Sequence, residues 1–358
     1  IGSGLVGSEM CIRDSYWCGF VVMAPWRTYI NYNDPRLLER FYDTMKAWMD
    51  YVERYRIDGL LKRWPDTPYR SWFLGDWLAP KGVDYTNPVS IDLVNNCFIS
   101  ECFEVMSKAA SVLGKSEDAV AFANKRSELN ALIHERFYRP AEEKYATGSQ
   151  LDMIYPMLAG AVPDKLYSLV SNNLKRYTAE QNKGHIGVGL VGVPVLTEWA
   201  IRNKETDFMY NLLKKQDYPG YLYMLNKGAT TTWEYWHGER SRIHNCYNGI
   251  GTWFYQAVGG IRTDEGQPGY KHVFIEPQIP EGVTWAKVSK ETPFGTIYVG
   301  WHLEGNKLKL NIRLPIGVTA DVITPQDATE GWLDNQRISI LDKSLRLDNG
   351  SYSCVYKF

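Results

Sequence analysis

The chain has little that would suit a nucleic acid, a membrane or a metal. Its 40 Lys and Arg are balanced by 41 Asp and Glu, the formal net charge is -1, and no long run of one sign breaks the balance. Gripping a phosphate backbone needs a basic face, so no nucleic-acid partner is expected. No apolar run reaches the roughly 18 residues that a membrane span requires. The six cysteines (Cys11, Cys18, Cys97, Cys102, Cys246 and Cys354) form no Cys-x-x-Cys pair, and no His-Glu-x-x-His is present. Neither a metal nor a disulfide framework is therefore indicated, and the compartment stays open. The glycines of GHIGVGLVG (184–192) do not follow a strand, so they are a weak signal for a dinucleotide loop, and no Gly-x-Ser-x-Gly elbow occurs. No cofactor is expected.

What the chain has in excess is aromatic: 13 Trp and 24 Tyr against 12 Phe. Part of that excess is core. Rings that keep a polar handle also suit a wet, sugar-binding surface. A length of 358 residues fits two domains, or one with an appendage.

Residues 1–15 (IGSGLVGSEMCIRDS) stand apart, with no cap, period or apolar face. They lack the basic start and long apolar core of a signal peptide, and they resemble translated sequencing-adapter sequence. They are read as a non-native segment, and the chain as the C-terminal portion of a longer one. From Tyr16 the pattern is helical. Asp34-Pro35 reads as a cap and first turn for a helix to about Arg56, with Leu38, Phe41, Met45, Trp48, Met49 and Val52 on one face. After a Trp-, Pro- and Gly-rich loop (58–88), helical patterns cover 92–113, 116–137, 150–160, 164–178, 190–203, 205–215 and 246–258. Cys97 and Cys102 fall on such a face and read as buried thiols. Helix after helix of this length, with aromatic loops at alternate junctions, is what antiparallel helix pairs stacked in a ring would give. At about Pro268 the period becomes two. Ile297, Val299, Trp301 and Leu303 alternate, Glu304-Gly305-Asn306 turns, and Leu308, Leu310, Ile312 and Leu314 return. The expected organisation is a helical domain over 16–267 and an antiparallel β-sandwich over 268–358.

One stretch, Gly228 to Gly260, concentrates candidate chemistry. Three threonines lead into Trp233-Glu234-Tyr235-Trp236-His237, and Glu239, Arg240, Arg242 and His244 follow. Flat rings stack on sugar C–H faces and a carboxylate moves protons, so Glu234 reads as a base in a glycosidase. The plainer alternative is an acid at the start of an aromatic helix, paired with Arg240 or Arg242. Asp76, between Gly75 and Trp77 and near Trp72, is either a turn aspartate or a grip on sugar hydroxyls. His185, His237 and His244 could line the same pocket, although a lone histidine is more often a satisfied structural group.

Read together, APWRTYINYND (24–34), GDWLAP (75–80), the 184–192 loop, YPGYLYMLNKGATTTWEYWHG (218–238), NGIGTWFYQAVGGI (248–261) and HVFIEPQIP (272–280) resemble the α-L-rhamnosidases of glycoside hydrolase family 78. The resemblance covers most of residues 16–358. It implies an (α/α)6 toroid, incomplete at its N-terminus, followed by a β-sandwich. It also implies an inverting hydrolase that removes terminal α-L-rhamnose from rhamnose-containing oligosaccharides or glycosides. By position, Glu234 matches the family's general base, and Asp76, Trp77, Trp233 and Trp236 match positions lining the rhamnose pocket. Where the family often has an Asn-His pair ending four residues before a glycine (here Gly249), this chain reads His244-Asn245. The family's general acid belongs to a motif upstream of the APW segment, where residues 1–15 stand here, so the acid is expected upstream of this chain. The other readings are a different inverting (α/α)6 glycosidase, of glucosidase or trehalase type, and a catalytically inactive sugar-binding relative.

Overall fold

The computed structural model describes residues 18–62, 73–245 and 247–358. The segment at 1–15, Trp72 and Cys246 lie outside the described residues. The chain forms two compact units. One holds residues up to Trp26 together with 35–199 and 208–249; the other holds 27–34, 200–207 and 250–358.

The first unit is built from helices whose starts and stops are written locally. Helix α1 covers Phe20–Tyr32. Helix α2 (Arg36–Arg54) buries Leu38, Tyr42, Met45, Met49 and Val52, a stripe spaced by three and four residues. That stripe runs through Tyr42 rather than Phe41, which is exposed. Pro35 is the residue before the helix, and no side chain caps it. A two-residue hairpin, β1 (Arg56–Ile57) with β2 (Leu60–Leu61), follows. Helix α3 (Pro88–Val112) begins on a sequence-coded cap: Asn87 accepts from the Val89 amide at 3.0 Å, and Pro88 takes the first turn. It is buried on nearly all sides, including both Cys97 and Cys102. Gly114, in the left-handed region at φ +71°, turns the chain into α4 (Ser116–Phe137), which packs back along α3.

A small β3–β4 pair (Tyr138–Arg139, Lys144–Tyr145) leads to α5 (Gln150–Ala159), capped by Ser149 and stopped by Gly160. Helices α6 (Asp164–Glu180), α7 (Gly192–Arg202), α8 (Thr206–Leu213) and α9 (Tyr221–Asn226) continue the series. The last helical pattern, read as one helix over 246–258, is three short turns in succession: 3-10 at Asn248–Ile250, α at Gly251–Trp253 and π at Phe254–Val258. Among the described residues, no helix is long and apolar enough to cross a membrane.

The second unit contains two sheets. Strands β5 (Ile261–Thr263), β6 (His272–Ile275), β10 (Thr319–Ile323) and β13 (Ser344–Leu347) form one, in the order β13-β10-β6-β5. The other is β12-β11-β14-β9-β8-β7, from β7 (Trp285–Thr292), β8 (Gly295–Glu304), β9 (Lys307–Leu314), β11 (Glu330–Leu333), β12 (Gln336–Ile338) and β14 (Gly350–Lys357). Pairings are antiparallel except β6 with β10, which run parallel. The β8–β9 hairpin turns at Gly305-Asn306, with Glu304 opposite Lys307. Ile297, Val299, Trp301, Leu308, Leu310, Ile312 and Leu314 all point inward. Alternation with period two puts them on one face, and that face is the core of this unit.

Candidate active site

Glu234 does not start a helix. Residues 229–245 have neither helix nor strand, because Gly228 ends α9 at φ +83° and Gly238 and Arg240 both take left-handed conformations, at φ +84° and +59°. The chain instead folds back as an irregular loop with cross-loop pairing. The Glu234 amide donates to Ser241 O at 2.9 Å, and the His244 amide donates to Thr232 O at 3.0 Å. The Ser241 amide in turn donates to Glu234 Oε2 at 3.2 Å. The Thr232 hydroxyl ties off the base of the loop, shared between His244 O and Asn248 Oδ1. Glycine is required at 238 for space as well as conformation, since a Cβ there would lie 2.8 Å from the Trp233 ring.

This pairing leaves the Glu234 carboxylate at the surface of the loop, 19% exposed, with Arg240 Nη1 at 3.9 Å from Oε1. Arg240 is itself largely exposed, so the pair contributes little to stability. Tyr235, beside Glu234, is half-buried under the Arg240 guanidinium at 5.6 Å. His237 bonds to Glu239 at 2.8 Å, and that contact holds the Glu239 carboxyl below its usual range.

Beneath the loop the rings are packed. Trp233 is 3% exposed, with Arg242 over its face at 5.2 Å. Trp236 is 1% exposed, lies on Tyr247 with centroids 4.0 Å apart, and meets Tyr221 edge-on. Its indole nitrogen donates to Val188 O at 3.0 Å. Trp77 is half-buried, edge-on to Tyr85 at 6.1 Å, and its carbonyl accepts from Leu190 N at 2.7 Å.

The structure thus brings Glu234, Trp236, Asp76 and Trp77 into one bonded assembly with the glycine loop. Asp76 is 4% exposed; Oδ2 accepts from Gly189 N at 2.7 Å and Oδ1 from Gly192 N at 2.8 Å. Burial pushes its carboxyl up to about 7, against the pull of those amides. His185 heads the same loop and is held at both ring nitrogens, by Asp217 at 2.8 Å and by Asn182 O at 3.1 Å. Gln150 brackets the loop, donating to His185 O and accepting from Gly187 N. His244 joins through Thr232 alone among the bonds described above. Tyr247, Gln150 and Asp217 were not singled out in the sequence, because nothing local marks them; each acts on a partner far along the chain. Among the described residues, no group of three or more His, Cys, Asp and Glu side chains could hold a metal ion.

Helical hairpins followed by a two-sheet β unit, with a partly exposed acid on an aromatic loop of the helical part, define a helical-hairpin domain with an appended β domain. The sequence pattern of the bacterial alpha-L-rhamnosidase 6 hairpin glycosidase domain matches residues 8–258, and that of the bacterial alpha-L-rhamnosidase C-terminal domain matches 260–339. The chain belongs to the bacterial alpha-L-rhamnosidase family. It is 26% identical over 339 residues to an alpha-L-rhamnosidase of Formosa agariphila, covering 91% of this chain and 35% of that one. Against an alpha-L-rhamnosidase of an Alteromonas species the identity is 25%, with 94% and 37% covered. The chain therefore spans little more than a third of the length of these curated relatives. Among solved structures, an alpha-L-rhamnosidase from Dictyoglumus thermophilum superposes with a TM-score of 0.86 at 21% identity, over 96% of this chain and 40% of that one. A Streptomyces avermitilis alpha-L-rhamnosidase complexed with L-rhamnose gives 0.80 at 23% identity, over 94% and 32%. At these identities the superpositions speak to the fold.

Proposed function

We propose that this chain carries the base half of an inverting glycoside hydrolase site that removes terminal α-L-rhamnose from rhamnose-containing oligosaccharides or glycosides, with Glu234 as general base. In such a reaction one carboxylate takes a proton from water as it attacks the anomeric carbon. A second carboxyl group, roughly 6.5–9.5 Å away, protonates the departing oxygen on the opposite face. The observation that carries this reading is the state of Glu234. One carboxylate oxygen is fixed by the Ser241 amide while the side chain remains open to water. Three acids of the same set of loops are committed elsewhere: Asp76 to Gly189 and Gly192, Asp217 to His185, and Glu239 to His237. None of them is assigned as the acid partner. Half-buried Trp77 and Tyr235 are assigned as the rings nearest a bound sugar, with buried Trp233 and Trp236 lining the pocket from beneath. His185 and His244 shape its loops.

The test is Glu234→Gln in the complete open reading frame that carries this chain, assayed with nitrophenyl α-L-rhamnoside and by calorimetry with rhamnose. Turnover is expected to fall by roughly 10²–10⁴-fold while rhamnose still binds. Turnover near wild type would overturn the assignment. Binding without hydrolysis by the unsubstituted protein would mark a sugar-binding relative in place of an enzyme.

A further inference from the structure

Asp76 is buried, and both its oxygens are spent on backbone amides three residues apart, at Gly189 and Gly192. The charged group that acts on it is another acid, Asp152, itself buried and bonded to Ser90 and Thr147. A carboxylate held this way is costly, so it is expected to organise something. The chain has also been shaped to let it approach. A Cβ at Gly192 would lie 2.8 Å from Asp76 Oδ2, and one at Gly189 would lie 2.3 Å from Trp77 O.

From Asp76 the bonds run in a closed circuit. Fixing the Gly189 and Gly192 amides sets the loop between them, which is also pinned where Leu190 N meets Trp77 O at 2.7 Å. It orients the adjacent Val188 carbonyl, which takes the Trp236 indole N–H at 3.0 Å. Trp236 stacks on Tyr247, whose hydroxyl lies 2.9 Å from Leu78 O and 3.2 Å from Glu234 O. Leu78 is two residues beyond Asp76, so the circuit returns to its start.

We propose that Asp76 is a positioning residue for the Glu234 base: it fixes the glycine loop that holds the Trp236–Tyr247 stack, and that stack carries the Glu234 backbone. The proposal rests on the reading of Glu234 as general base and deepens it. It gives Asp76 no contact with the sugar.

The experiment uses two variants in the complete open reading frame: Asp76→Asn, which keeps the shape but turns an amide N–H toward one of the loop amides, and Trp236→Phe, which removes the Nε1 donor and part of the ring while keeping an aromatic face toward Tyr247. Both are assayed on nitrophenyl α-L-rhamnoside alone and in a Glu234→Ala background with sodium azide. Azide then replaces the base-activated water. Its nitrogen bonds to the anomeric carbon, the bond to the leaving oxygen breaks, and that oxygen takes its proton from the general acid, leaving an inverted glycosyl azide. Each variant is expected to lower kcat by about tenfold or more, with KM within about threefold of wild type. In the azide reaction each is expected to change the rate by less than about threefold, because the base they position has been bypassed. An equal loss in the azide reaction, a loss carried by KM, or wild-type kcat in folded protein would overturn the proposal. Should Asp76→Asn lose its circular dichroism, Trp236→Phe decides alone. Wild-type turnover by Glu234→Ala without azide would instead sink the base assignment itself.

Discussion

The Trp236 indole lies nearly parallel to the Tyr247 ring, with centroids 4.0 Å and planes 19° apart. Trp236 lies within the irregular loop that holds Glu234, and Tyr247 follows it in sequence. Both are fully buried, and each has its polar atom on a backbone carbonyl: Trp236 Nε1 on Val188, and Tyr247 Oη near Leu78 and Glu234. Apolar faces and satisfied handles make the pair a fixed floor under an irregular, cross-bonded segment.

Removing the hydroxyl at 247 should separate its two contributions. Tyr247→Phe keeps the stack and the buried area, and leaves the Leu78 carbonyl without that donor. A loss of about 1 kcal/mol in unfolding free energy is expected. Trp236→Ala should cost about 3–5 kcal/mol, because it opens a cavity beneath the loop and frees the Val188 carbonyl. Urea denaturation of the two variants side by side checks the ratio. Equal losses would show that the stack itself contributes nothing.

The buried carboxyl of Asp76 should leave a mark on the pH dependence of stability. Its pKa is about 7 in the folded chain, against about 3.9 in an unfolded one. Between those values the folded state keeps a proton that the unfolded state has lost. This group's contribution is therefore fully present below about pH 4 and declines as pH rises through about 7, by at most about 1.4 kcal/mol per pH unit. Asp76→Asn has no such term. The stability of wild type minus that of the variant should shrink as pH is raised from 4.5 to 6.5 in denaturant titrations. A difference that grows over that range would mean that the loop amides outweigh burial.

Much of the helical unit was legible from local signals. Helix α4 covers the expected span 116–137, with Glu117 and Asp118 in its first turn though Lys115 precedes it without a side-chain cap, and Ser149 and Gly160 bracket α5 close to the expected span. Strands β8 and β9 follow the period-two pattern, down to the Gly305 turn. The loop around Glu234 was legible as chemistry and misread as structure. A dense aromatic run after three threonines looks like the start of a helix, but its hydrogen bonds cross between 232–234 and 241–244, which no helical period encodes. The partners of Asp76 lie 113 and 116 residues away in sequence, so a pass along the chain could not show that its oxygens were already taken. In α2 the expected face is buried at Leu38, Met45, Met49 and Val52, with Tyr42 in place of exposed Phe41 and Trp48 half-buried; the Tyr42 hydroxyl bonds to Asp118 in the first turn of α4.

In the β unit, Gly260 is expected to tolerate no side chain. It takes φ +74°, and a Cβ there would stand 2.3 Å from Pro277 N, a backbone atom that cannot swing aside. Gly260 O also accepts from Glu276 N at 2.9 Å, beside the Ile261–Ile275 pair that opens the sheet. Gly260→Ala should destabilise the protein by more than about 1 kcal/mol. Gly305→Ala, at a turn with open space around it, should cost less, since only the φ of +57° opposes it. Comparing the two in thermal unfolding distinguishes crowding from backbone strain. Equal shifts would show that crowding at Gly260 is relieved for nothing.

Gly189 offers the sharpest steric probe of the candidate site. Its backbone is pressed against residues 77–79, with a Cβ 2.3 Å from Trp77 O and 2.6 Å from Ala79 N. Neither atom is a flexible side-chain end, so Gly189→Ala must push the glycine loop away from the Asp76–Ala79 turn. That movement breaks the Asp76 bond to the Gly189 amide and shifts Val188, the acceptor for Trp236. Displacements of about 1 Å at such supports can lower turnover on the order of 10²-fold. The expected result is a folded protein by circular dichroism whose rhamnoside turnover falls by at least tenfold, a scale set by that displacement. Tryptophan fluorescence should change as Trp236 loses its bond. A Gly189→Ala protein with wild-type turnover and an unchanged emission spectrum would mean that the loop can yield without moving the floor beneath Glu234.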